Sequence, residues 1–199
     1  MEAMRIIMDE HRSLEAILNA VRYILGEVGA RRLEPDFPLL RALVDYLEAY
    51  PEQSHHPKED RYLFAPLKRR TAEGAAALAT LEREHAESEA RIRSLKRSLA
   101  AYAEGARGGF EAFVGAFARY RDFYLTHLQL EEREILPLAV KHFTEADWAA
   151  AATGFRADAD PLAGTREAER EEEFRRIFAK LVAAAPAPIG LGAVPYQDD

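Results

Sequence analysis

The sequence predicts an all-α protein: an antiparallel up-down four-helix bundle followed by one or two C-terminal helices. Three observations lead to this prediction. Apolar residues recur in alternating steps of three and four along four long segments, which is the spacing of one helix face. The connections between these segments are short, so consecutive helices are expected to lie antiparallel. No stretch of useful length alternates in the two-residue period of a strand.

The first two predicted helices are delimited by residues that cap or break helices. The first is predicted over residues 2–28 and ends at glycines and charged residues. Asp36 is the predicted N-cap of the second, which is expected to continue to about Arg70. Three prolines lie inside this second segment: Pro51, Pro57 and Pro66. Each removes a backbone donor, so we expect kinks or a break there.

The third and fourth predicted helices cover residues 72–104 and 110–142, with glycines between them. After Phe143 the pattern changes. Thr144-Glu145-Ala146-Asp147 is typical of a capping box, and it predicts a short helix to about residue 157. A last helix is predicted over 165–184, before a tail rich in proline and glycine. We therefore divide the chain into a bundle domain, 1–143, and a C-terminal extension, 144–199.

Composition excludes several classes of function. The 199 residues are 48% hydrophobic and 31% charged, and the net charge of −7 gives no support to nucleic-acid binding. Without cysteine, the chain can form neither disulfides nor thiolate metal sites. The N-terminus lacks the apolar core of a signal sequence, and no apolar run approaches the ~20 residues of a membrane span. We expect a cytoplasmic protein without a membrane partner.

Four histidines fall on the predicted inner faces, one on each of the four long helices: His11, His55, His85 and His127. Two of them are followed by a core-facing glutamate four residues later: His55 by Glu59 and His127 by Glu131. Residues four apart on a helix lie over the same patch of surface, so each His–Glu pair can bind one metal, or two metals if the carboxylate bridges. Burying Glu131 among aromatic residues costs several kcal/mol unless it is protonated or paired. The pattern predicts a buried metal centre.

More ordinary explanations exist for each residue taken singly. A histidine on an apolar face is more often a hydrogen-bonded core residue than a ligand, and a lone His–Glu step is often a surface pair. The same step recurs from His11 to Glu15 and from His85 to Glu89, where the glutamates are expected beside the core-facing line. His56 points about 100° away from the preceding histidine. It could be a terminal metal ligand, a neighbour of the ligands or a surface residue.

At these positions the sequence resembles the hemerythrin-like, or HHE cation-binding, family. The resemblance spans about residues 4–140 and rests on four motifs: Asp9-Glu10-His11-Arg12, His55-His56-Pro57-Lys58-Glu59-Asp60, Glu84-His85, and His127 through Glu131-Glu132 to Leu136-Pro137. Members of that family are four-helix bundles that hold a non-heme di-iron centre. The resemblance implies that the four inner histidines are terminal ligands and that Glu59 and Glu131 bridge the metals.

The expected function is that of a di-iron protein which binds or reacts with O₂, peroxide or NO, in sensing, scavenging or iron handling. Oxygen-carrying hemerythrins have a further histidine where this chain has Glu89, which speaks against oxygen transport. Two alternatives remain: a di-iron oxidase or peroxidase with turnover, and a regulatory bundle whose metal is structural. Zinc and manganese are alternatives to iron, because histidine and glutamate do not select iron by themselves. The sequence predicts no oligomeric state.

Overall fold

The computed structural model describes residues 1–157, and these residues form helices without any strand. The helices are α1 (Glu2–Gly29), α2 (Phe37–Tyr50), α3 (His56–Glu59), α4 (Ala65–Arg70), α5 (Ala75–Ala103), α6 (Gly109–Leu130), α7 (Leu136–His142) and α8 (Glu145–Ala157). The predicted all-α class is therefore confirmed for this part of the chain, including the short helix after Phe143. The helix predicted over 165–184 and the tail after it lie outside the described residues.

Three π-helical turns join shorter α-helices into longer helical rods: Pro51–His55, Asp60–Phe64 and Glu131–Ile135. The first two join α2, α3 and α4 into a rod over 37–70, and the third joins α6 and α7 into a rod over 109–142. With α1 and α5, the chain thus has four long rods, called rods 1 to 4 in chain order.

Each π turn comes just before a proline, and this explains why rod 2 does not break. After each turn the next residue donates its N–H to the carbonyl five positions back: His56 to Pro51, Ala65 to Asp60 and Leu136 to Glu131. The residue after that is Pro57, Pro66 or Pro137. Because proline has no N–H and its ring collides with the carbonyl four residues earlier, a wider turn lets the helix continue past it. The structure thus shows local widening of the helix before Pro57 and Pro66, and the break that the sequence also allowed does not occur.

Side-chain caps form at two of the predicted helix starts. The Asp36 carboxylate accepts a hydrogen bond from the Leu39 N–H at 2.9 Å, which caps α2. At α8, the Asp147 carboxylate accepts from the Thr144 N–H at 2.9 Å and the Asp147 N–H donates back to the Thr144 hydroxyl at 3.3 Å. This reciprocal pair is the capping box that the sequence predicts.

Two apolar clusters fill the interior, with a polar layer between them. The larger cluster contains Leu14 of rod 1, Tyr50 of rod 2, Ile92 of rod 3 and Tyr124 of rod 4. The smaller contains Ile7, Leu63, Leu81 and Ile135, from the same four rods. Successive rods therefore meet the two clusters in alternating order along the chain. An up-down bundle requires this alternation, although the antiparallel arrangement itself stays a prediction.

Helix α8 packs across rod 1 and the π turn at Asp60–Phe64. Ala3 forms a small buried cluster with Ala151 and Ala152 of α8. Ion pairs flank this contact, from Arg156 to Glu2 at 3.0 Å and from Arg70 to Asp147 at 3.0 Å. Among the described residues, no helix combines the length and the apolar character needed to cross a membrane.

Candidate metal centre

The polar layer brings together every residue that the sequence nominates as a metal ligand. Their ligand atoms form two overlapping groups, and within each group all of these atoms lie within 4.8 Å of one another. One group is His11, His55, Glu59 and Glu131, and the other is His56, Glu59, His85 and His127. Glu59 belongs to both groups. The structure thus places these seven side chains at one site, while their role as ligands stays a prediction.

Glu59 directs its two oxygens to different histidines. Its Oε1 lies 3.0 Å from His55 Nε2 and 3.5 Å from His11 Nε2. Its Oε2 lies 3.6 Å from His85 Nε2. A carboxylate placed in this way can give one oxygen to each of two neighbouring cations.

Glu131 makes the complementary set of contacts from rod 4. Its Oε2 lies 3.5 Å from His11 Nε2, whereas its Oε1 lies 3.4 Å from His127 Nε2 and 3.9 Å from His85 Nε2. Both carboxylates therefore reach from the His11 side of the layer to the His85 side. This geometry suits two bridging carboxylates between two cations, each with its own histidines.

The inward-facing atoms are buried without hydrogen-bond partners. They are His11 Nε2, His55 Nε2 and all four carboxylate oxygens of Glu59 and Glu131. The side chains of both glutamates are at most 1% exposed to solvent. Although close contacts such as that of His55 with Glu59 occur among them, none of these six atoms forms a well-directed hydrogen bond, and divalent cations would satisfy all of them together. The donor set of imidazole nitrogens and carboxylate oxygens therefore fits a pair of such cations.

The outer nitrogen of each inner histidine contacts a carboxylate. The four Nδ1 contacts are His11 with Glu132 at 2.9 Å, His55 with Glu10 at 2.8 Å, His85 with Asp60 at 3.0 Å and His127 with Glu84 at 2.9 Å. A carboxylate that accepts a hydrogen bond from Nδ1–H fixes the ring and leaves Nε2 as the ligand atom. All four histidines are thus oriented with Nε2 facing Glu59 and Glu131.

Sequence reasoning assigned no role to these outer carboxylates. A signal for them does exist, because each one directly precedes or follows a predicted ligand in the chain: Glu10 beside His11, Asp60 beside Glu59, Glu84 beside His85 and Glu132 beside Glu131. Yet each contacts a histidine of another rod. The adjacent acidic residue can therefore be read from the sequence, whereas its partner requires the packing of the rods.

The charges in the layer influence one another strongly. Burial opposes a charge on His55, but the neighbouring Glu59 and Glu10 outweigh it and raise the pKa of His55 to about 10. Burial lowers the pKa of His127 despite the carboxylate of Glu84. Burial and the nearby His85 together hold the pKa of His56 well below its ordinary value. In the metal-free layer, His55 is cationic at neutral pH, whereas His56 is neutral.

His56 is buried, so its interpretation as a surface residue is wrong; its side chain is 5% exposed. Its ring stacks on that of His85 with centroids 4.1 Å apart. The Tyr124 hydroxyl lies 2.9 Å from His56 Nε2, at hydrogen-bond distance. The other two interpretations of His56, terminal ligand and neighbour of the ligands, stay open.

The other glutamates at the four-residue step are not part of the site. The side chain of Glu89 is 71% exposed and forms an ion pair with Arg93 on the same helix. Glu15 is only half-buried and belongs to neither group of ligand atoms. The structure agrees with the sequence in placing both glutamates beside the core-facing line.

The model of one protein family, the hemerythrin HHE cation binding domain, matches residues 3–139. The chain belongs to this family. A comparison with curated proteins found no match, and neither did a comparison with solved structures. Membership of the HHE family supports cation binding by the buried His and Glu residues. The family match ends within α7, so α8 lies beyond it.

Proposed function

We propose that this HHE domain binds two iron ions and through them binds or reacts with O₂, peroxide or NO, in sensing, scavenging or iron handling. One observation carries the proposal: Glu59 and Glu131 are buried without hydrogen-bond partners, and each directs its oxygens to histidines on both sides of the layer. The alternating order in which the rods meet the apolar clusters supports the antiparallel bundle that belongs to this proposal.

Each residue of the layer has a distinct part in the proposal. His11 and His55 would hold one cation, and His85 and His127 the other, with His56 within reach of the second. Glu59 and Glu131 would bridge the two and offset their charge. When bound, a ferrous pair supplies up to two electrons to a small oxidant. The apolar clusters on the two sides of the layer limit the access of water to it. The outer carboxylates fix the orientation of the imidazole rings.

Iron is proposed because of the family resemblance, since the donor set also suits zinc and manganese. The chain contains no cysteine, so electrons for a bound oxidant cannot come from a thiol of this protein. In this proposal the electrons for a reaction with O₂, peroxide or NO come from the redox-active metal. A zinc-loaded protein gives the matched inactive reference for every test of reactivity.

The test is stoichiometric loading with Fe(II) without oxygen, followed by exposure to O₂, peroxide or NO. We expect about two irons per chain and a new charge-transfer absorption after exposure. Glu59→Gln should lose this loading, whereas Glu87→Gln, at an exposed position paired with Arg91, should retain it. One iron or none in the wild type, with no spectral change, would contradict the proposal.

The same samples distinguish the alternatives. Continued consumption of peroxide over many equivalents, abolished in Glu131→Ala, would indicate an enzyme with turnover. Two bound metals that raise the melting temperature but give no reaction with any of the three small molecules would indicate a structural metal in a regulatory bundle. A single reaction per loaded chain supports sensing or scavenging.

A further inference from the structure

Lys58 is a buried cation on the outer side of the metal layer. Its side chain is 6% exposed, and its Nζ lies 3.0 Å from Glu10 Oε1. The other oxygen of Glu10 lies 2.8 Å from His55 Nδ1. Glu10 thus joins the lysine to a histidine whose Nε2 faces the bridging Glu59. Neither Lys58 nor Glu10 is among the inner ligands.

Glu10 differs from the other three outer carboxylates in its burial. The side chains of Glu132, Asp60 and Glu84 are 32%, 47% and 19% exposed, so water solvates their charges. The side chain of Glu10 is 0% exposed. A fully buried carboxylate needs a cation close by, and an uncompensated one would reorganise its surroundings or take up a proton. In the metal-free layer His55 and Lys58 both face Glu10 with a positive charge, and once a metal replaces the proton of His55, Lys58 is the cation that remains beside Glu10.

Helix α8 closes this side of the layer over Lys58. The Lys58 ammonium lies 5.3 Å from the ring centroid of Phe155 and 5.4 Å from that of Tyr50, both at cation–π distance. Phe155 is fully buried, and its ring meets that of His55 edge-on with centroids 6.4 Å apart. Phe155 belongs to α8, beyond residues 3–139, over which the family model matches.

We propose that Lys58 is a positioning residue of the metal centre and that α8 is a structural part of that centre. Phe155 holds Lys58 against Glu10, and Glu10 in turn holds the His55 ring with Nε2 toward Glu59. The inference rests on the proposed metal binding and adds that its His11–His55 side depends on a helix outside the family domain. The His85–His127 side, whose outer carboxylates are solvated, does not need such a buried cation.

The test uses the full chain and Co(II), whose visible absorption reports the geometry of its ligands. We expect two Co(II) per wild-type chain. Lys58→Met and Phe155→Leu should each weaken one of the two at least tenfold and change its absorption, while the other Co(II) binds as before. Two controls match these variants: Lys68→Met, which removes an exposed lysine of rod 2, and Trp148→Leu, which changes another aromatic residue of α8. Wild-type Co(II) binding by both Lys58→Met and Phe155→Leu would overturn the inference.

A second variant covers the case in which Lys58→Met does not fold. In the double variant Lys58→Met with Glu10→Gln no buried carboxylate lacks its cation, and the glutamine carbonyl can still accept from His55 Nδ1–H. We expect this double variant to fold, as judged by circular dichroism, and to recover the second Co(II). Folding without that recovery would contradict a role of Lys58 through Glu10.

A measurement on the metal-free protein separates this inference from the proposed function. If the wild type binds fewer than two Co(II), the proposed function fails. The ring ¹⁵N signals of His55, identified by their loss in His55→Gln, then still test the positioning role. They should shift in Lys58→Met and stay unchanged in Lys68→Met. Equal spectra in wild type and Lys58→Met would overturn the positioning role alone.

Discussion

Glu59 and Glu131 face the same inner histidines from different rods, yet their carboxyl groups have opposite pKa shifts. Burial favours the neutral form of both. At Glu59 the positive charge of His55 outweighs burial and lowers the pKa well below its ordinary value. At Glu131, burial and the negative charge of Glu59 raise the pKa well above it. In the metal-free layer, Glu131 therefore holds a proton more readily than Glu59 does.

Metal binding should release protons from this layer. A metal ligand must give up its proton, so His55, with a pKa of about 10, loses one, and the raised pKa of Glu131 adds to the release. We expect at least about one proton released per chain at pH 7, and a metal affinity that rises with pH. Calorimetric titration with Zn(II) in buffers of different ionisation enthalpy measures the number. A heat of binding that is independent of the buffer would contradict this prediction.

Replacing the two bridging glutamates by glutamine should change the stability of the metal-free protein in opposite directions. Glu59→Gln leaves the cationic His55 without its inner carboxylate and should cost about 3–5 kcal/mol of unfolding free energy. Glu131→Gln replaces a carboxyl group whose neutral form is favoured by burial and by the negative charge of Glu59, and it should stabilise the fold by about 1 kcal/mol. Urea unfolding in the presence of a chelator checks both.

The metal affinity of these two variants should change in the same direction, in contrast to their stability. Both should lose metal, because each removes a bridging carboxylate. A stabilised Glu131→Gln that no longer binds metal would show that this glutamate serves binding at the expense of stability. If Glu131→Gln were instead destabilised as much as Glu59→Gln, the opposite pKa shifts of the two glutamates would be contradicted.

The metal-free protein should lose stability as the pH rises above 6.5. The pKa of His55 is raised in the folded state to about 10, so its contribution is complete below the ordinary value of 6.5 and is lost as the pH rises through 10. Glu131, whose pKa is also raised, acts in the same direction from 4.5 upward. We expect a decrease on the order of a few kcal/mol between pH 6.5 and 9.5, measured by urea unfolding with a chelator. A flat profile would contradict it.

The sequence predicts the inner ligands because helical periodicity places them on the core-facing line. His11, His85 and His127 occupy positions where the pattern calls for apolar residues, and the four-residue step adds the glutamates. The buried pair of Lys58 and Glu10 could not be predicted in this way. Glu10 directly precedes His11 in the chain but contacts His55 on another rod. Only the packing of rods 1 and 2 establishes that contact.

The prolines of rod 2 show a second limit of sequence reasoning. Each proline reliably indicates that a regular α-helix cannot pass. Whether the chain then kinks, breaks or widens depends on what the rest of the rod contacts. Here Tyr50 packs in one apolar cluster and Leu63 in the other, so the rod is held on both sides of Pro57. A π turn accommodates the ring and the missing N–H of the proline, and it keeps both of these packing contacts.

The docking of α8 can be tested by two glycine substitutions with opposite expected effects. Gly154 of α8 is buried against the Tyr62 ring, and a Cβ at this position would overlap that ring. Gly154→Ala should therefore cost about 1–3 kcal/mol of unfolding free energy, because α8 must move away or Tyr62 must change its position. Gly26 is exposed on α1, and a Cβ at this position would meet no atom within 4 Å. Gly26→Ala should stabilise the fold by about 0.5–1 kcal/mol through helix propensity alone.

Thermal unfolding of both variants, followed by circular dichroism, measures the contrast. A lower melting temperature for Gly154→Ala with a higher one for Gly26→Ala is the expected result. Because Gly154 directly precedes Phe155, a displaced α8 should also expose the Lys58 side of the layer to solvent. Limited proteolysis should then cleave α8 faster in Gly154→Ala than in wild type. Equal melting temperatures and equal cleavage would show that α8 does not depend on its contact with Tyr62.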